Sequence, residues 1–267
     1  MSEEIKVETN SSEENTTTSE VWNKLLGASL AMPGAKVNRA KFLSSQFGSH
    51  CTEEQVLAAT EGRPATAGVS KETVDRLADG CIRFHVRNSA VISFATGIPG
   101  GWAMAGSIPA DLVNFYWNAI VLSQKLAYLY GWPNAFIEND KVDDETKNQI
   151  TLLIGAMMGS GQAKRAIGEV AKRLAEHITL SLPKRALTKT VGYSAIKQVA
   201  RWIGVQVTKA SFARGISRVV PVIGGIASAG VTVLFMRPMA RRLKKHLQEL
   251  PLAQPDGHST VTPVPAN

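Results

Sequence analysis

The residues best equipped for chemistry are few. His50-Cys51 and the run Cys81-Ile82-Arg83-Phe84-His85 bring two thiols and two imidazoles into the first third of the chain. Cys81 and His85 stand four apart, one above the other on a helix, and thiolate with imidazole is a zinc ligand set. The spacing matches no standard zinc site, and Cys81 falls on the apolar face of its helix. The expectation is a packed thiol beside a half-exposed histidine, with no metal. Gly97-x-x-Gly100-Gly101 has the glycines of a phosphate loop, but no strand precedes it and no Lys-Ser/Thr follows. A Gly-x-Ser-x-Gly elbow, a Walker loop and a His-Glu-x-x-His run are absent from the sequence. No cofactor site and no catalytic constellation is recognised. Asp111 differs in kind, because it is the only formal charge between Ser89 and Gln124. A carboxylate buried there would titrate and handle protons or ions. It also stands directly after Pro109-Ala110, where a helix start takes an acceptor and a negative charge, and capping is the preferred role.

The elements that must hold these residues are helices throughout. No stretch alternates apolar and polar residues over a strand's length, so the fold class is all-α, a multi-helix bundle. Helices are expected over 20–31, 35–47, from Thr52 to Gly62 and from Ser70 towards Thr96. Thr52-Glu53-Glu54-Gln55 has the pattern of a capping box, and Ser70 is a cap. A long helix follows over 110–130, stopped by Gly131 and Pro133. Residues 138–147 read as an acidic turn region and 148–161 as an apolar stretch with Gly155 and Gly159 four apart. An amphipathic helix covers 163–182, with Ala163, Ile167, Val170, Ala171, Leu174 and Ile178 on its apolar face. One or two basic helices with Trp202 as anchor fill 184–219. A final helix is expected over 238–250, with Leu243 and Leu247 inward and Arg241, Arg242, Lys244 and Lys245 outward.

Composition and charge set the rest. Hydrophobic residues make up 44% of the chain but aromatic ones only 6%, so small aliphatic side chains form most of the core. The net charge of +8 is uneven: the first twenty residues hold six glutamates against Lys6, while 164–245 is strongly basic. A basic half favours an anionic partner. Aromatic residues that could stack bases are not interleaved with the basic ones, which argues against nucleic acid. Residues 1–19 are polar and acidic, 251–267 hold four prolines, and both are expected to be disordered tails flanking one domain over 20–250. The N-terminus carries no secretory signal, and two cysteines form no disulfide framework, so a cytoplasmic location is expected.

Two uncharged segments, about 89–108 and 219–236, are centred on glycine and proline. Pro99-Gly100-Gly101 and Pro221-Val222-Ile223-Gly224-Gly225 echo one another. Small residues four apart let helices approach closely, in a soluble core or in lipid. Neither segment is a clean span of about twenty apolar residues. Together with the basic amphipathic helices they favour contact with an anionic membrane surface, for which Arg241, Arg242, Lys244 and Lys245 are the candidates.

The run Gly106-Ser107-Ile108-Pro109-Ala110-Asp111-Leu112, with an apolar helix ending Leu126-Ala127-Tyr128-Leu129-Tyr130-Gly131, resembles the EcsC protein family. The second block is similar too: a Lys-rich stretch over 184–209, then Val219-Val220-Pro221-Val222-Ile223-Gly224-Gly225 and a terminal helix with Ala240. The resemblance covers most of 25–247. It implies a bacterial, membrane-associated helical protein linked to ABC-transport or export systems, and supplies no catalytic residues. The expected role is therefore that of a binding accessory on the inner face of the cell membrane, whose partner is the lipid surface or a membrane transport protein. The alternatives are an enzyme with a cleft near Asp111 and His85, and a basic nucleic-acid-binding helical protein.

Overall fold

The computed structural model describes residues 18–95, 108, 110–134, 142–176, 191–217 and 224–256; for 88–95, 111, 209–217 and 224–233 only the backbone is described. Its elements are all helical, as the sequence periodicity requires. In chain order they are α1 (18–31), α2 (Arg39–Phe47), α3 (Glu53–Glu61), α4 (Lys71–Ala95), α5 (Ala110–Leu129), α6 (Asp144–Met158), α7 (Gly161–Glu176), α8 (Tyr193–Ser217) and α9 (Gly224–Gln248). A 3-10 turn, Pro251–Ala253, closes the described chain.

Local chemistry explains where these helices begin. The Thr52 hydroxyl accepts from the Gln55 N–H, and the Gln55 side chain accepts from the Thr52 N–H, both at 3.2 Å, which completes the expected capping box. The Ser70 hydroxyl accepts from the Thr73 N–H and starts α4. Two caps shift expected boundaries. Asn38 accepts from the Lys41 N–H at 2.9 Å, so α2 starts at Arg39 rather than Ala35. Asp143 accepts from the Thr146 N–H, so the second half of the expected acidic turn is the first turn of α6. Asp144 and Glu145 lie there beside the positive end of the helix dipole.

Three further expectations change. Residues 224–248 form one helix through Pro238, where a helix start was expected. Proline deprives the carbonyl four residues earlier of its donor. That residue is Leu234, which is 71% exposed, so water can satisfy its carbonyl and the helix survives. The C-terminal tail begins later than expected, because Pro251 and Leu252 are buried in the core. Trp202 is only partly buried, and Val199, Ile203 and Val207 anchor α8 instead. The expected ends of α7 at Leu182 and of the long basic region at Val219 lie outside the described residues.

Packing places α5 at the centre. It contacts α2, α4, α6 and α9, and from Asn118 to its end at Leu129 its residues are buried except Lys125, which is half-buried. The most extensive contact is between α4 and α9. Gln248 bonds to Asp75, and Lys244 to Asp79, so these two helices run antiparallel. Tyr130 meets Asp75 while Asn118 meets His85, so α4 and α5 are antiparallel too. The C-terminal end of α4 and the N-terminal ends of α5 and α9 therefore share one end of the bundle. α6 packs on α7, α8 and α9, and buries the apolar face of α7 expected from sequence, Ala163 to Leu174.

Gly155 and Gly159 separate into different jobs. Gly159 has φ +107° and ends α6, its N–H bonding back to the carbonyls of Gly155 and Ala156. Gly155 is where α6 meets α8, and a Cβ there would lie 2.6 Å from Val199 Cγ1 and 2.9 Å from Ala163 Cβ. We expect Gly155→Ala to destabilise the protein by about 1–3 kcal/mol through overpacking. Gly168→Ala on α7, where a Cβ meets nothing within 4 Å, should be neutral or stabilising by about 0.5–1 kcal/mol. Denaturant unfolding of the two variants measures the contrast.

Candidate functional site

The residues with the richest chemistry converge where α2, α4 and α5 meet. His85 projects from α4 and is buried. Its Nε2 lies 3.0 Å from Lys125 Nζ on α5, and its Nδ1 contacts Asn118 Oδ1, about two turns earlier on the same face of α5. An ammonium has no lone pair to offer, so Nε2 accepts and Nδ1–H donates to Asn118. Asn118 Nδ2 donates back to the His85 carbonyl at 3.3 Å, which fixes the amide in the orientation this tautomer needs. Burial holds the His85 imidazole well below its usual range, at about 4; the Asn118 bond opposes this and the Lys125 charge adds to it. The ring is neutral at physiological pH. The ammonium of Lys125 sits 5.7 Å from the Phe42 ring centroid and 5.8 Å from that of Phe84. Burial lowers its pKa.

Cys81 lies one turn before His85 on the inner face. Its thiol contacts Gln46 Oε1 at 3.9 Å, and burial pushes its pKa up. Both imidazole nitrogens of His85 already have partners, one of them a cation, and among the described residues no group of three metal-ligating side chains occurs. Cys51 lines an open groove of about 360 Å³ between α2 and α3 with Leu57 and Thr60, apart from this cluster. A second cavity, bounded by Tyr128, Trp132, Asn148 and Gln149, has about 20 Å³, room for one water molecule.

Cations also work inside the fold. Arg39 is buried, and its guanidinium donates to the carbonyls of Thr60, Gly62, Ala59 and Trp132, at 2.6, 2.6, 3.3 and 2.8 Å. It thereby closes the C-terminus of α3 and ties it to the exit of α5. Burial lowers its pKa to about 10, which leaves it charged.

The four basic residues assigned to a membrane surface divide. Arg242 donates to the Met157 and Met158 carbonyls and caps α6. Lys244 is largely buried against Asp79 at 2.8 Å. Lys244 thereby leaves the surface, a correction to its expected role that composition alone could not foresee, whereas Arg242 stays exposed while it caps α6. Arg241 and Lys245 are exposed as well. Asp111 is the second residue of α5, inside the first turn rather than before it, and lies seven residues, about 10 Å, from Asn118. The Asp111 side chain lies outside the described residues, so the alternative of a cleft near Asp111 and His85 rests on His85 alone, which joins Asn118 and Lys125 in one cluster. Gly224 and Gly225 open α9. Pro99, Gly100, Gly101, Pro109 and Pro221 lie outside the described residues. Asn118, Gln124 and Lys125 escaped the sequence reading; their only signal was polarity on a helix apolar nearly all round.

The fold is thus that of an all-α helical bundle protein with a buried polar cluster at its central helix. No family model, no curated protein and no solved structure matches the chain.

Two predictions follow from these geometries. Arg39→Met leaves several carbonyls without a donor and should cost at least about 3 kcal/mol in denaturant unfolding. For His85 the native pKa is depressed, so the unfolded chain takes up a proton near its ordinary 6.5 while the folded chain does not. Stability is therefore full above about pH 6.5 and falls as the pH drops towards 4, by about 3 kcal/mol at most. His246, also lowered by burial, slopes the same way. His85→Gln should flatten the decline between pH 6.5 and 4.5. An unchanged slope would assign it to other groups.

Proposed function

We propose that the protein is a peripheral membrane protein, cytoplasmic and bound to an anionic bilayer surface, acting by binding as an accessory to a transport or export system. The observation that supports this is the outer face of α9. Leu234 and Phe235 are 71% and 59% exposed, and Arg237, Arg241 and Lys245 are exposed further along the same helix. Apolar side chains at one end with cations below them match an acyl boundary under anionic headgroups. Leu234 and Phe235 lie in the half of the bundle where α4 finishes and α5 and α9 start. Arg83 and Arg87 are exposed on α4, antiparallel to α9. No helix among the described residues is long and apolar enough to cross a membrane. Both cysteines are free, in keeping with a reducing compartment. The resemblance of the Pro109-Ala110-Asp111-Leu112 and Pro221-Val222-Ile223-Gly224-Gly225 motifs to EcsC proteins supports the link to export.

Sedimentation with vesicles tests the reading. The protein should bind phosphatidylglycerol-containing vesicles, bind neutral ones more weakly, and lose affinity as salt rises, since charges are screened beyond about 8 Å at physiological ionic strength. Arg241→Glu with Lys245→Glu should weaken the electrostatic part, and Leu234→Ser with Phe235→Ser the apolar part. Reversal at Arg242 or Lys244 is no test, because both hold helices together. Equal binding by the wild type and both double variants would remove α9 from the interface.

A further inference from the structure

Among the described residues the ammonium of Lys125 has no carboxylate counter-ion, although it is half-buried. Its one hydrogen-bond partner there is a neutral imidazole, and its remaining surroundings include two aromatic faces. A charge taken partly out of water is held most stably by an anion. Ring faces compensate only in part, by about 0.5–2 kcal/mol. One of the two rings is accessible from outside: Phe84 is 56% exposed, and its edge-on contact with the His85 ring keeps it beside the ammonium. Phe42 on α2 is partly buried and packs against the core. Arg83 and Arg87 are exposed on α4, one beside Phe84 in sequence and the other a turn further on. A cation within reach of two ring faces, with further exposed cations on the same helix as one of them, is complementary to an anionic head on an aliphatic chain.

We propose that Lys125, with Phe42 and Phe84, forms a binding site for the carboxylate or phosphate head of an amphiphile, the rings flanking the first part of its chain. His85 and Asn118 act as positioning residues. Asn118 holds the imidazole in the tautomer whose Nε2 accepts from Lys125, so the ammonium is aimed before the ligand arrives. The site does not depend on attachment through α9, and the amphiphile is either free in solution or a lipid of the bilayer.

Isothermal titration of the full-length protein with decanoate and octyl phosphate below their micelle concentrations tests the site. Decanol serves as the uncharged control and inorganic phosphate as the chainless one. Decanoate and octyl phosphate should each bind one to one, and both controls should bind far more weakly. Lys125→Met should weaken the amphiphiles by about ten-fold or more, the scale of a charge-assisted hydrogen bond. Phe84→Ala, at an exposed position that the core does not need, should weaken them several-fold with an unchanged melting temperature. If phosphatidylglycerol vesicle binding also falls in Lys125→Met, the bilayer supplies the amphiphile. If it falls only in the α9 variants, the ligand is the free molecule and the two surfaces are separate. Wild-type affinity in folded Lys125→Met overturns the site, as does decanol binding as tightly as decanoate, or no binding of either amphiphile. Should Lys125→Met not fold, unchanged affinity in Phe84→Ala overturns it.

Discussion

A helix enclosed on nearly every side has no route to water for the polar side chains it carries, and α5 is such a helix. Each polar group on it must find a protein partner or cost the fold about 1–3 kcal/mol. Asn118 takes His85 on α4, Ser123 returns to the Ile120 carbonyl, and Tyr130 donates to Asp75. Gln124 reaches furthest. Its amide donates to the Ala35 carbonyl at 2.8 Å, and its oxygen accepts from the Val37 N–H, fixing the α1–α2 connection against the centre. Trp22 of α1 adds an edge contact to Tyr116 and an N–H bond to Thr151 on α6. Apolar packing brings α1, α2, α4, α6 and α9 around α5, but the polar groups of α5 decide at what register they sit.

The net positive charge of the chain is put to two uses, and only one faces outward. Helix C-termini present unsatisfied carbonyls and the negative end of the dipole, so a cation there is stabilised twice over. Arg39 serves the end of α3, Arg242 the end of α6, and Arg63 reaches the Pro251 carbonyl at 3.4 Å. Lys244 crosses from α9 to α4 and lies between Asp79 and the Asp75 carbonyl. These contacts join elements far apart in sequence. A count of lysines and arginines therefore overstates the charge that a membrane or any other anionic partner would meet. What remains is spread over several helices: Arg241 and Lys245 on α9, Arg83 and Arg87 on α4, and Arg165, Lys172 and Arg173 on α7.

The parts of this fold legible in the sequence are those governed by neighbours within one turn. The capping box at Thr52, the Ser70 start, the Gly131 stop and the apolar face of α7 all rest on residues three or four apart. The parts that were not legible rest on distant partners. Proline at 238 looks like a start because its cost is local, whereas its tolerance depends on the exposure of Leu234. Leu252 follows a proline and precedes a polar run, yet it is fully buried, beneath Arg63 and Gly131. Cys81 and His85 share a helix face, which invites a metal reading, but the third member of the cluster is an ammonium forty residues away in sequence. Nothing in the local pattern of α4 carries that information.

The same antiparallel pairing that hides Lys244 also gives the molecule two unlike ends. At one, Asp75, Tyr130, Lys244 and Gln248 interlock α4, α5 and α9 through hydrogen bonds. At the other, α4 ends and α5 and α9 begin, and the described side chains include exposed Leu234 and Phe235. A bundle tied by polar contacts at its far end can expose apolar groups at the near one without losing its register. That division of labour is what an attachment surface needs, because side chains given over to a bilayer cannot also hold the fold together. Lys125 lies between these ends, at the level of His85 and Phe84. A ligand held there and a bilayer held at α9 rest on different side chains, which is why the two are separable in experiment.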